Sequence, residues 1–344
     1  MRVGRPATLP RVLAWTVGLA AVLAACMLVA ASVGAGRVSV LDGLWGGGGL
    51  AEADRRILLD LRVPRVLMAA LLGGALAVAG VAFQALLRNP LADPYVLGVS
   101  GGASIGGMLA LLLGFGAGQG ALGRLGLPAL AFAGALGALV LIEWVATVDG
   151  KLTVYTVLLT GAIFNAFSAA LIYFIQSLAS LEELHAIVFY LMGQIPAPAP
   201  TDLVVLTGAV VLVVVALAAM ARDFNALSLG EEGAMQIGVD VDRTRRRTFW
   251  LGSLLTGLAV SVAGLIGFVG LVVPHILRIL LGPDHRLLLP SSFFAGATFL
   301  VLADLVARIA AAPAELPVGV VTAMIGGPFF LFLLRRGRGR YGFS

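Results

Sequence analysis

The sequence predicts an all-α polytopic membrane protein of about ten transmembrane helices. Three observations carry this. Of the 344 residues, 60% are apolar and 12% are charged, about half the charged share of an average soluble domain. The apolar residues fall in stretches long enough for membrane helices, which take about 20 residues each. Those stretches are continuous rather than alternating, which argues against an outer-membrane barrel. The same composition excludes a disordered chain and an ordinary cytosolic enzyme. The single cysteine, Cys26, excludes an internal disulfide and a multi-cysteine metal site.

Ten apolar stretches follow in order, at about 11–33, 64–87, 96–114, 127–147, 153–177, 202–221, 248–266, 267–281, 290–310 and 316–334. The first carries a lipoprotein-like box ending at Cys26, but its apolar run continues to Val33, so a retained helix is expected. Glycine, 45 residues in all, falls inside the stretches and allows helices to approach closely in lipid. The seventh and eighth form one run broken at Gly264 and Gly267, and the eighth is short enough for a half-length or tilted helix. Between the fifth and sixth lies a segment of about 178–201. It holds a second apolar patch and then Pro196, Pro198 and Pro200, which predicts a short periplasmic helix and a stiff extended segment. The loop of about 221–247 is the most polar part of the chain. It predicts one short helix over 226–237, stopped by Gly238, and then a basic anchor at Arg243, Arg245, Arg246 and Arg247. The whole chain, 1–344, reads as a single transmembrane domain.

Charge sets the orientation. With the N-terminus inside, 16 of the 23 basic residues fall on the cytoplasmic side, among them Arg2, Arg5, Arg88, Arg338 and Arg340. Seven fall outside, among them Arg37, Arg62, Arg65 and Arg308. The asymmetry places both termini in the cytoplasm. The net charge of +5 therefore belongs to cytoplasmic loops rather than to nucleic-acid binding. Residues 74–88 (GALAVAGVAFQALLR) and 257–278 (GLAVSVAGLIGFVGLVVPHILR) form a weak internal repeat of inverted orientation. Inverted repeats with broken helices are a transporter signature, because the two halves can rock about a central site.

The chain lacks a Walker A loop, an HExxH motif and clustered cysteines. His185, His275 and His285 are scattered, and the glycine-rich 46–49 reads as an outside loop. Glu143 and Asp304 are the main intramembrane acids; two separated acids make a poor proton relay, so packing or helix-end hydrogen bonds are expected of them. An ion-coupled secondary transporter is thus the weaker alternative, and a structural or sensory membrane protein is a third. The better reading is a conduit without catalysis, cofactor or metal of its own, driven by a partner at its polar loop.

Specific blocks then point to a family. They are RVPR (62–65), QALLRNPLADP (84–94), LGVSGGA (97–103), LSLGEEGAMQIGV (227–239), GFVGLVVPHILR (267–278), DHRLLLP (284–290), ADLVAR (303–308) and ELPVGVVTAMIGGP (315–328). In these the chain resembles the FecCD family of binding-protein-dependent ABC permeases, the membrane subunits of importers for vitamin B12, heme and ferric siderophores. The resemblance implies a type II ABC importer permease fold and a homodimer with an axial pathway. It implies two copies of an ABC ATPase that bind ATP and Mg, and a periplasmic substrate-binding protein. It assigns ATPase coupling to Leu227, Gly230, Glu231, Ala234, Gly238 and Val239, and binding-protein docking to Arg62, Arg65 and Arg308. It puts Phe164, Asn165, Phe167, Ser168 and Gln176 on the pathway, with Thr153 and Thr156 near its inner gate. His185, Tyr190 and Met192, residue types that can ligate heme iron, gather near the expected mouth. They favour heme as cargo, ahead of a ferric siderophore and then cobalamin.

Overall fold

The computed structural model describes residues 8–33, 52–115 and 121–337. The expectations placed on Arg2, Arg5, Arg37, Arg338, Arg340 and the glycine-rich 46–49 lie outside the described residues. Each of the ten apolar stretches contains a helix. In chain order these are α1 (Leu9–Ser32), α2 (Val63–Leu86), α3 (Val99–Leu112), α4 (Ala121–Ala146) and α5 (Val154–Leu178). A short helix, α6 (Leu181–Met192), separates these from α7 (Pro200–Ala219). The polar loop contributes α8 (Ala221–Leu227) and α9 (Glu231–Gln236). Then come α10 (Val241–Ala263), α11 (Val269–Leu281), α12 (His285–Ile309) and α13 (Val318–Gly337). Among the described residues, six helices are long and apolar enough to cross a bilayer, and three shorter apolar helices stand among them. The chain is therefore an all-α polytopic membrane protein.

α2 is the centre of the bundle. Its best apolar window is 94% buried, against 22% for the windows of α5 and α7. Lipid supplies no hydrophobic drive between helices, so association rests on close packing. α2 achieves this by placing glycine against glycine. A methyl group at Gly73 would overlap the carbonyl of Gly296 on α12, and one at Gly80 would overlap the carbonyl of Gly270 on α11. Gly102 and Gly134 bring α3 and α4 together in the same way.

Four local features differ from the sequence expectation. A π-helical turn, Ile57–Arg62, leads directly into α2. A two-residue antiparallel hairpin, Thr147–Val148 with Lys151–Leu152, joins α4 to α5. The basic run is not in a loop: Asp240 caps α10 through the backbone N–H of Arg243, so the arginines form its first turns. Finally, the single helix expected over 226–237 is two helices, because Gly230 at φ 96° sits between them in a conformation that favours glycine.

The two members of the internal repeat also differ in shape. Residues 74–86 are one unbroken helix, whereas 257–278 is split by the non-helical 264–267. The break is covered by protein, as irregular backbone at membrane depth requires. The Ile266 N–H donates to the Tyr95 hydroxyl at 2.8 Å, and the Gln194 N–H donates to the Ala263 carbonyl at 2.8 Å. The two members meet where Gly80 faces Gly270. Gly80→Ala should therefore cost about 1–3 kcal/mol of stability through overpacking. Gly267→Ala, which meets no atom within 4 Å, should be neutral. Thermal unfolding in detergent checks this, and equal midpoints for both variants would contradict the packing account.

Candidate functional site

The charged residues gather at the two ends of the bundle. At one end lie α8 and α9. Glu231, first residue of α9, pairs with Arg88 just beyond α2 at 3.1 Å and also with Arg245 on α10. One carboxylate thus fastens the loop to two membrane helices. Asn225 on α8 makes a second fastening. Its Nδ2 donates to the Asp284 carboxylate at 2.8 Å, and its Oδ1 accepts from the His285 backbone N–H at 2.9 Å. Arg286, 2.7 Å from Asp284, holds that carboxyl well below the usual carboxylate range. A lowered folded-state pKa means that this contribution is fully present above the ordinary carboxylate pKa and fades as pH falls through the lower value. The fastening is therefore complete at neutral pH.

The structure places the expected coupling residues in different surroundings. Leu227 and Ala234 are buried, and Val239 packs against the core. They hold the loop in place. Gly230 and Gly238, both at positive φ, set the turns on either side of α9. The apolar side chains that stand out from the loop are Leu229, Met235 and Ile237, each more than half exposed. Sequence reasoning missed these three and missed Asn225. The available signal was that apolar residues in so polar a loop, off its buried face, need a partner.

The opposite end carries Arg62, Arg65 and Arg308. Asp304 on α12 has a side chain only 1% exposed, and it is shared by Arg65 at 3.0 Å and Arg308 at 2.9 Å. Arg308 goes further and donates to the Ala30 carbonyl at 2.8 Å and the Val33 carbonyl at 3.2 Å, at the C-terminus of α1. A cation at a helix C-terminus also opposes the helix dipole favourably. Arg62 donates to the Ala31 and Ser32 carbonyls at 3.4 and 3.3 Å. Arg65 adds a pair with Glu315 at 2.7 Å. Arg308 is buried, with a side chain 6% exposed, and it anchors α1. Arg62 and Arg65 remain on the accessible rim. Glu143, at the loop end, pairs with Arg246 at 3.2 Å, so both intramembrane acids are neutralised by arginine.

The expected pathway residues do not share one environment. Phe167 faces outward and is exposed, while Phe164 packs partly against the core. Asn165 points into the protein and donates to the Tyr95 carbonyl at 2.9 Å. Ser168 is buried against Gly101. α3 and the turn Pro94–Leu97 pack on that face of α5. Gln176 is half-buried near the end of α5. Thr153 caps α5, its hydroxyl accepting from the Thr156 N–H at 3.4 Å, and the two hydroxyls bond to each other. The outer face of α5, with Tyr155, Ile163, Phe167 and Phe174, is open along its length.

The three side chains that favoured heme do not converge. His185 is exposed and stacks on Phe189. Tyr190 turns inward and donates to the Val260 carbonyl at 3.1 Å, and Met192 lies two turns along the helix from His185. A cleft of about 620 Å³ opens beside α6, between Phe115, Phe189, Tyr190 and Gln194, with Glu182 and Glu183 on its rim.

A glycine-packed bundle of membrane helices, with a fastened polar loop at one end and an arginine rim at the other, defines a membrane transport subunit. The chain belongs to the FecCD transport family, whose model matches residues 20–336. It is 43% identical over 298 residues to the uncharacterized ABC transporter permease YvrB of Bacillus subtilis, covering 85% of this chain and 84% of that one. It is 42% identical over 287 residues to the cobalamin import system permease BtuC of Halobacterium salinarum, covering 83% and 75%. The hemin transport system permease HmuU of Yersinia pestis is 38% identical over 296 residues, covering 83% and 85%. A solved structure described as an inward-facing metal-chelate type ABC transporter superposes with a TM-score of 0.82 at 31% identity, covering 93% of this chain and 98% of the other.

Removing the buried acid tests the arginine cluster. Asp304→Ala leaves Arg308 buried without a counter-charge and should cost about 3–5 kcal/mol. Melting in detergent at the wild-type temperature would contradict the anchoring role.

Proposed function

We propose that this chain is the permease subunit of an ABC importer that carries a metal chelate of the cobalamin, heme or ferric siderophore class into the cell. It works as a homodimer in the bacterial inner membrane with both termini in the cytoplasm. Two copies of a separate ATPase, which bind ATP and Mg, dock at the α8–α9 end. A periplasmic substrate-binding protein docks at the rim of Arg62 and Arg65. The outer faces of α5 from the two copies, with Phe167, form the wall of the axial pathway.

The observation that carries this reading is the loop of α8 and α9. It offers Leu229, Met235 and Ile237 outward, while Glu231 and Asn225 tie it to α2, α10 and α12. A short element fastened in this way moves as a rigid body, so closure of a partner below can be passed directly to the membrane helices. Glu143 and Asp304, at opposite ends and each paired with arginine, offer no route for protons, which disfavours ion coupling. The case for heme over the other cargoes rested on His185, Tyr190 and Met192, which do not converge: Tyr190 turns inward, and Met192 lies two turns from His185. The proposal is therefore the cargo class. Relatives at 38–42% identity include permeases named for hemin and for cobalamin.

Two outcomes check the reading. In proteoliposomes holding the permease, its ATPase and its binding protein, Met235→Glu with Ile237→Glu should lower cargo-stimulated ATP hydrolysis and uptake at least about tenfold, since a charge buried at an interface costs several kcal/mol. Uptake at the wild-type rate would sink the coupling assignment. In the same vesicles, heme, a ferric siderophore and cobalamin tested side by side should give ATP-dependent uptake of at least one. Uptake of none would refute the cargo class.

A further inference from the structure

Arg65 meets two carboxylates in different surroundings. Its Nε and Nη2 lie 3.0 Å from Asp304 Oδ1, and its Nη1 lies 2.7 Å from Glu315 Oε2. Asp304 is 1% exposed and is also bonded to Arg308, which in turn is bonded to the end of α1. It cannot leave Arg65 without stranding a buried cation. Glu315 is 53% exposed. It sits between α12 and α13 in the non-helical 310–317, a stretch whose residues 310–315 are all exposed. The Leu316 N–H, bonded to the Ala307 carbonyl at 3.0 Å, pins the chain just beyond it. The Glu315 side chain can therefore swing away by its own rotation while the backbone stays in place.

We propose that Glu315 is an internal stand-in for the docking protein's carboxylate. It occupies the outer edge of Arg65 in the undocked permease and has to be displaced when a partner's carboxylate arrives, so it holds the docking affinity down. The proposal rests on the reading of this end as the docking rim. Its physical basis is the difference between the two acids. The buried one fixes the guanidinium in orientation, and the exposed one fills its remaining outward edge with the chemistry that an acidic partner would bring. An arginine held rigidly by a buried carboxylate is preorganised for a second one. An exposed ion pair contributes little, so the internal partner is replaceable. Such a device lowers the positive charge that the rim shows to other acidic proteins. It also favours release of the binding protein after delivery, because Glu315 can return to Arg65.

The test measures binding of the substrate-binding protein encoded nearest the permease gene to the assembled permease–ATPase complex in lipid nanodiscs. Glu315→Gln should bind about two- to fivefold more tightly, the range an exposed ion pair can account for. Glu315→Asp, too short to reach Arg65 in the same pose, should move in the same direction and guards against a folding defect in the first variant. Arg65→Gln should weaken binding. If Arg65→Gln weakens binding but neither Glu315 variant tightens it, the stand-in role is overturned and the docking rim survives. Weaker binding in both Glu315 variants would show that Glu315 touches the partner directly, which also overturns the stand-in role. If Arg65→Gln leaves binding unchanged, the docking reading itself fails, and the stand-in role with it.

Discussion

The structure depends on how closely other helices approach α2. In a bilayer, apolar side chains gain little by leaving lipid for protein, so helices associate through packing and polar contacts. α2 meets α12 at Gly73 and Gly296, and meets α11 at Gly80 and Gly270, with no side chain between the backbones. A helix wrapped in this way cannot tilt or rotate by itself. Movement of the bundle has to take place at its margins or at the break over 264–267, where the backbone already leaves helical geometry.

Polar contacts then fix what packing leaves loose. At one end Glu231 joins the loop to α2 and α10, and Asn225 joins it to the start of α12. At the other, Asp304 joins α12 to α2 through Arg65 and to α1 through Arg308. α12 takes part in both sets. Since α12 also packs on α2, a displacement imposed at the loop has a continuous, stiff route to the arginine rim. Backbone packing carries this connection between the two ends, with no chain of ion pairs between them among the described residues.

Much of this was legible in the sequence, and the failures share one cause. The ten apolar stretches each coincide with a helix because hydropathy and length are one-dimensional properties. The blocks RNPLADP and GFVGLVVPHILR pointed to the family because they are long and specific. The facing of side chains depends on neighbours far away in the chain. Arg308 reads as a mouth residue by position, but Asp304 four residues earlier and α1 nearly 280 residues away draw it inside. Asn165 and Ser168 read as polar pathway lining; in the structure Asn165 spends its amide on the Tyr95 carbonyl and Ser168 is buried against Gly101. Leu227 and Ala234 are buried and hold the polar loop, whereas Leu229, Met235 and Ile237 beside them stand exposed. Even Gly230, noticed as a pattern residue, did not show that it divides the loop into two helices.

The account stands on one claim: the loop of α8 and α9 is where an ATP-driven partner grips this otherwise passive conduit. The most direct measurement places a photo-crosslinking residue at Met235 in the reconstituted complex and identifies what it captures by mass spectrometry. Capture of the ATPase subunit, changing in yield between the ATP-bound and nucleotide-free complexes, is the predicted result. Capture of lipid alone, with the ATPase present and active, would contradict it.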